Sequence, residues 1–279
     1  MTYSRYQQLK PEEFKRLCGV HHHRFIRMVA VLEEQVEQKK LEPGKPSKLS
    51  IADQVFVSLE YWREYRTYFH NGQAWGVHES TVSRIVRKVE NALIQAGIFQ
   101  LPGKKQLLEP KSVAKLVVID ATETPIERPK KGQRQFYSGK KKRHTFKTQL
   151  VVDPKTKGVI CTTFATGKEH DFHLFKRSSV KLKKETKCLA DKGYQGIQKL
   201  HANSQLPKKK RKGEQLSQLD REMNQSWERT RGICERIIGR LKVFKLVAER
   251  YRNRRKRFGL RFNLIAGLYN YELGLFKPS

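Results

Sequence analysis

Lys115-Leu-Val-Val-Ile-Asp-Ala-Thr-Glu123 constrains this chain more than any other stretch. A short continuous apolar run, rich in β-branched residues, reads as a strand buried on both faces. It ends where polar residues and Pro125 take over. Asp120 then stands at the mouth of a buried strand, held rigidly and yet able to reach solvent or a cation. An Asp after a strand is also an ordinary turn former or helix cap. Its meaning depends on what lies downstream.

Arg143-His-Thr-Phe-Lys-Thr-Gln-Leu-Val-Val152 reads as a second strand, Asp153–Gly158 as a hairpin loop and Val159–Ala165 as a third strand. A helix begins near His170, with Asp171 placed as its N-cap. Lys187-Cys-Leu-Ala190 is another short apolar run, and it leads into Asp191-Lys-Gly-Tyr194. A long helix follows the basic tract Pro207–Gly213, from Leu219 to about Phe244. Strands, a helix, another strand and then helices describe a mixed α/β (α+β) sheet with an antiparallel half.

The first hundred residues have a different pattern. Residues 1–45 read as helical, with Pro11-Glu-Glu-Phe as a first-turn signal and Phe25, Met28, Val29 and Leu32 as an apolar stripe. Leu41-Glu-Pro-Gly-Lys-Pro46 is a break. Ser50 is placed to cap a helix carrying Ile51, Val55, Leu59 and Trp62. Thr67–Trp75 is a short helix, Gly76–Ser80 a turn, and Thr81–Leu93 a third helix with Val82, Ile85, Val86, Val89 and Leu93 inward. Ser83, Arg84, Arg87 and Lys88 line its other face. This is the helix-turn-helix plan, in which the last helix enters the major groove. The domain reading is 1–45, a helical segment; 46–100, helix-turn-helix; 101–112, a linker; and 113–279, a mixed α/β domain.

Charge indicates the partner. Lys and Arg number 59 against 27 Asp and Glu, a formal net charge of +32. Self-repulsion on this scale is relieved by a polyanion, and nucleic acid is the first candidate, ahead of an anionic membrane. No apolar run spans a bilayer and the N-terminus lacks a signal-peptide core, so a cytoplasmic, nucleoid-associated protein is expected. Cys18, Cys161, Cys188 and Cys234 are scattered, against both a disulfide framework and a zinc site. His21-His22-His23 reads as an exposed polar patch.

If the strands before Asp120 and Asp191 are neighbours, two carboxylates approach each other and need a cation between them. Hard divalent ions with oxygen ligands, magnesium above all, fit such a place. A pair of them about 3.5–4 Å apart serves phosphodiester chemistry. A third carboxylate would come from the long helix, where Glu222, Glu228 and Glu235 are all available. There Arg231, Glu235 and Lys242 share one face, opposite Ile233, Ile237, Leu241 and Phe244.

Three blocks in order now carry a resemblance. Val-Ile-Asp120-Ala-Thr-Glu, Ala-Asp191-Lys-Gly-Tyr and Arg231-Gly-Ile-Cys-Glu235-Arg-Ile-Ile-Gly-Arg-Leu-Lys242 are similar to the signature blocks of bacterial insertion-sequence DDE transposases, within the IS-five group. The third block of related elements is Tyr-x2-Arg-x3-Glu-x6-Lys, and Glu228 stands where the Tyr would be. The resemblance runs from about residue 48 to the C-terminus. It implies a ribonuclease-H-like catalytic domain with a mixed five-stranded sheet behind an all-α helix-turn-helix domain. It further implies a transposase that binds terminal inverted repeats of double-stranded DNA, cleaves with magnesium (manganese substituting), and joins the freed 3′-hydroxyl to target DNA, as a homodimer. Asp120, Asp191 and Glu235 would be the catalytic metal ligands, with Arg231 and Lys242 on phosphate near the scissile bond.

Three basic blocks suit a DNA track: Lys130–Lys147, including Lys140, Lys141, Lys142 and Arg143; Lys208–Lys212; and Arg250–Arg261. Phe258, Phe262, Ile265 and Tyr269 read as a core stripe. The alternative function is a catalytically silent DNA-binding regulator derived from a transposase; the presence of all three acids favours the enzyme.

Overall fold

The computed structural model describes residues 3–38, 47–109, 114–208 and 215–275. The break at Leu41–Pro46, Val113 and residues 209–212 of the basic tract lie outside them. In chain order the helices α1 (Pro11–Cys18), α2 (His22–Gln38), α3 (Ile51–Glu64), α4 (Tyr68–Trp75) and α5 (Glu79–Gln95) come first. Then follow β1 (Leu116–Pro125), α6 (Gln133–Phe136), β2 (Tyr137–Ser138), β3 (Arg143–Val152), β4 (Val159–Thr166), α7 (Asp171–Ser178), β5 (Lys187–Ala190) and β6 (Ser204–Gln205). The chain closes with α8 (Gln218–Leu241), α9 (Lys245–Ala248) and α10 (Phe258–Glu272). Two compact units result. One comprises Met1–Gln100, Leu241–Glu249 and Leu260–Ser279; the other comprises Leu101–Arg240 and Arg250–Gly259.

In the helical unit, local chemistry starts each helix where the side chains allow it. Ser50 caps α3: its Oγ accepts from the Asp53 amide at 3.1 Å, and Asp53 returns a bond from the Ser50 amide at 3.2 Å, satisfying two otherwise orphaned donors. Helix α5 starts at Glu79, two residues earlier than its apolar spacing suggests, because the His78 ring accepts from the Ser80 amide. Between α4 and α5 the chain turns tightly. A Cβ on Gly72 would lie 2.6 Å from the Val77 carbonyl oxygen, so only glycine permits this approach. Val82, Ile85, Val86, Val89 and Leu93 are all buried, as the 3.6-residue period requires. On α2 the buried set is Phe25, Met28, Val31 and Leu32, with Val31 in place of the expected Val29. His22 is no open patch. Its ring packs on Phe14 and its Nε2 lies 2.7 Å from the Tyr3 hydroxyl.

The last helix also packs here. It is buried almost all round rather than along a stripe, and Gly267 lets it meet the Phe99 backbone. Arg261, expected on a DNA-facing surface, is 2 % exposed and bonds Glu90 at 2.6 Å, while Glu90 also accepts from the Trp62 indole. A charge buried this deeply persists only when paired and hydrogen-bonded, and here both conditions hold.

The second unit is built on a mixed sheet, as expected. Its order is β2-β3-β1-β5-β6, with β4 on β3, so among the described residues it has six strands instead of five. Two of the six, β2 and β6, are only two residues long, too short to leave an apolar pattern in sequence. β1, β3 and β4 pair antiparallel through the Asp153–Gly158 hairpin, whereas β5 and β6 run parallel to β1. Val117, Val118 and Ile119 are fully buried, so the opening run does need cover on both faces. Ile119, Val151, Cys161, Phe175 and Tyr194 share one core cluster. All four cysteines are free and buried. No helix among the described residues is long and apolar enough to cross a membrane.

Candidate active site

β1 and β5 are hydrogen-bonded neighbours, and their register pairs Ile119 with Ala190. The next residue on each is an acid, so Asp120 and Asp191 leave adjacent strands at the same level. β5 stops there, but β1 does not. It continues through Asp120, paired with Leu150, as far as Pro125, paired with Thr145. The polar residues expected to end the strand are carried on by the antiparallel edge of β3, which holds the backbone in place regardless of side-chain polarity. The opening beside Asp120 is therefore made by the end of its neighbour.

Glu235 arrives from α8. The guanidinium of Arg231, one turn earlier, reaches both remaining components: Nη1 lies 2.7 Å from Asp191 Oδ1 and Nη2 lies 2.9 Å from Glu235 Oε1. Asp120 feels all three groups. Burial pushes its carboxyl up to about 6; the Ala121 amide and Arg231 pull it down, and Asp191 and Glu235 push it up. Its Oδ1 accepts from the Ala121 amide at 2.8 Å, and Asp191 Oδ1 accepts from the Lys192 amide at 2.7 Å. The three acids are thus in mutual electrostatic reach with one permanent cation among them. Among the described residues, no three His, Cys, Asp or Glu side chains gather closely enough to hold a metal ion.

The surroundings contain residues that spacing alone did not single out. Asp171 is not the cap of α7; His170 holds that position without a side-chain bond, and Asp171 is the first helical residue. Its carboxylate instead takes Lys147 Nζ at 2.7 Å, and Lys147 also donates to the Glu169 carbonyl at 2.6 Å. Lys147 is thereby buried and leaves the expected basic track. A Cβ on Gly193 would lie 2.5 Å from Asp171 Oδ2, which explains the glycine of Asp-Lys-Gly-Tyr. Tyr194 is fully buried with its hydroxyl unpartnered, and burial raises its pKa well above the usual phenol range. On α8 the core line runs through Cys234, Ile237 and Leu241 rather than Ile233. The 234/237/241 spacing carried that signal.

The remaining expected residues fall elsewhere. Helix α8 ends at Leu241, so Lys242 lies past it, in the segment Leu241–Glu249 of the helical unit. Lys140, Lys141 and Lys142 form the exposed turn before β3, and Arg143 is the exposed first residue of that strand. On α5, Arg84, Arg87 and Lys88 are exposed and Ser83 is half-buried. Arg84 bonds the Ser80 carbonyl at 3.3 Å, and Lys88 bonds Gln54 Oε1 at 3.1 Å.

Comparison with known proteins fits this arrangement. Residues 119–270 match the family described as DDE superfamily endonuclease, and residues 47–97 match the helix-turn-helix of DDE superfamily endonuclease. The chain is 51 % identical over 275 residues to the probable transposase for insertion sequence element IS702 of Microchaete diplosiphon, covering 99 % of each. The chain belongs to the DDE transposases of insertion sequences. No solved structure matches it. The endonuclease match begins at Ile119, one residue before Asp120, and takes in Asp191, Arg231 and Glu235. In this transposase the helix-turn-helix match covers α3, α4 and α5.

Proposed function

We propose that this transposase binds the terminal inverted repeats of its element, cleaves there, and transfers the freed 3′-end to target DNA, with Asp120, Asp191 and Glu235 as its metal-binding acids. The observation that carries this reading is the strand register that brings Asp120 and Asp191 to one level, with Glu235 joined to Asp191 through Arg231. The donor set suits a hard divalent ion such as magnesium or manganese, since all its donors are carboxylate oxygens. Positive charge is already accepted between Asp191 and Glu235, in the form of a guanidinium. When bound, divalent ions supply activation of the attacking water or hydroxyl and stabilise the leaving oxygen.

The chain's own residues supply the rest. β1 and β5 hold Asp120 and Asp191 as fixed ligands, and α8 brings Glu235. Ser83, Arg84, Arg87 and Lys88 present the exposed side of α5 to DNA, and Lys140, Lys141, Lys142 and Arg143 extend a basic surface for the backbone. Lys242, beyond the α8 terminus, acts on phosphate independently of the acids. Two element ends must be held together for transfer, and a homodimer on DNA accomplishes this. Asp120→Asn and Glu235→Gln test the assignment. Both variants should retain binding to element-end DNA and lose metal-dependent cleavage and joining. Cleavage at the normal rate by either variant would remove that residue from the metal-binding set.

A further inference from the structure

Arg231 does more than lie near the acids: it bridges two of them. One guanidinium spans Asp191 and Glu235 with separate Nη groups, at 2.7 and 2.9 Å, and it lowers the pKa of Asp120 as well. Its Nε is buried and has no hydrogen-bond partner. The side chain is therefore held by the carboxylates alone, through two of its three nitrogens. An arginine cannot lose its proton under these conditions, so it is a permanent cation, unlike a lysine or histidine in the same place. Three acids in mutual reach, one of them largely buried, would repel each other without it.

We propose that Arg231 is the site's resident counter-ion and competes with the divalent metal for Asp191 and Glu235. This rests on the metal-site reading given above. A divalent ion drawn to these carboxylates meets charge that Arg231 already neutralises through Asp191 Oδ1 and Glu235 Oε1, so loading weakens the guanidinium's hold on them. The loosened group carries a planar fork suited to a phosphate oxygen pair. Metal binding thereby exchanges an internal ligand of Arg231 for an external one, and uptake of the ion prepares the site for DNA. A purely structural Arg231, one that only positions Glu235, predicts the opposite sign: its removal would weaken metal binding.

The test is titration of the full-length protein with manganese alone, without DNA, following free Mn2+ by its electron paramagnetic resonance. Arg231→Ala and Arg231→Gln should bind Mn2+ more tightly than the natural protein, by roughly fivefold to tenfold, the scale of a partly exposed ion pair. Both should melt lower in chelator and gain more in melting temperature from Mn2+ than the natural protein gains. Asp191→Asn, in parallel, should lose Mn2+ binding. Equal or weaker binding in both Arg231 variants, with binding lost in Asp191→Asn, overturns the competition and leaves the metal site standing. If Asp191→Asn binds Mn2+ as the natural protein does, both the site and the competition fail.

Discussion

Replacing Asp120 by Asn removes a charge that the folded protein holds at a cost. Burial raises this carboxyl from 3.8 to about 6. At 1.36 kcal/mol per pH unit, that rise amounts to on the order of 3 kcal/mol of destabilisation when the group is ionised. The sign follows from proton linkage. Below pH 4 the acid is protonated both folded and unfolded, and it costs nothing. Between pH 4 and 6 the unfolded chain releases its proton while the folded one keeps it, so stability falls as pH rises. Above pH 6 the whole penalty is present. The amide mimics the protonated carboxyl, so the Asp120→Asn variant should match the natural protein near pH 4 and exceed it by on the order of 3 kcal/mol at pH 8. Urea unfolding in chelator, followed by circular dichroism at a series of pH values, measures this difference. On the metal-site proposal, adding Mn2+ should reverse the order at pH 8, because only the natural protein would then gain a ligand that binds the folded state. Equal stability at pH 8 in chelator, or a gap as large at pH 4 as at pH 8, would refute the reasoning.

Three further outcomes follow from the geometry. Arg84→Ala with Arg87→Ala should weaken binding to element ends and flatten the dependence of log affinity on log salt by about two charges, read from gel shifts across a salt series; an unchanged slope would put α5 off the DNA. Arg261→Met should cost about 3–5 kcal/mol by leaving the buried Glu90 charge without its guanidinium, and adding Glu90→Gln should recover most of it; thermal unfolding of the single and double variants checks this. Gly193→Ala should lower activity and break the normal coupling with Lys147, since its methyl would meet Asp171; an alanine variant with full cleavage activity would show that the close approach is idle.

The sequence was informative where one physical pattern dominated. The burial of Val117–Ile119 and of the inner face of α5 follows from apolar spacing, and the Ser50 cap from local hydrogen-bonding chemistry. The three acids stood out because two of them close apolar runs and resemblance selected the third. Long-range pairing was not legible. Nothing local says that β1 outlasts its apolar stretch, since the partners that support it lie in β3, beyond an intervening helix and short strand. The two-residue strands have no pattern to read. Charged residues misled for the same reason: Lys147 and Arg261 look like surface residues until Asp171 and Glu90 are brought to them from distant positions.

The unequal anchoring of the three acids has a mechanical consequence. Asp120 lies within the sheet and Asp191 directly follows its neighbouring strand, but Glu235 is borne on a separate rod and is exposed. On the metal-site proposal, any adjustment to ions of different radius comes from the rod. If the acids bind divalent ions as proposed, stiffening α8 would narrow the range of ions the site takes, and loosening it would widen that range.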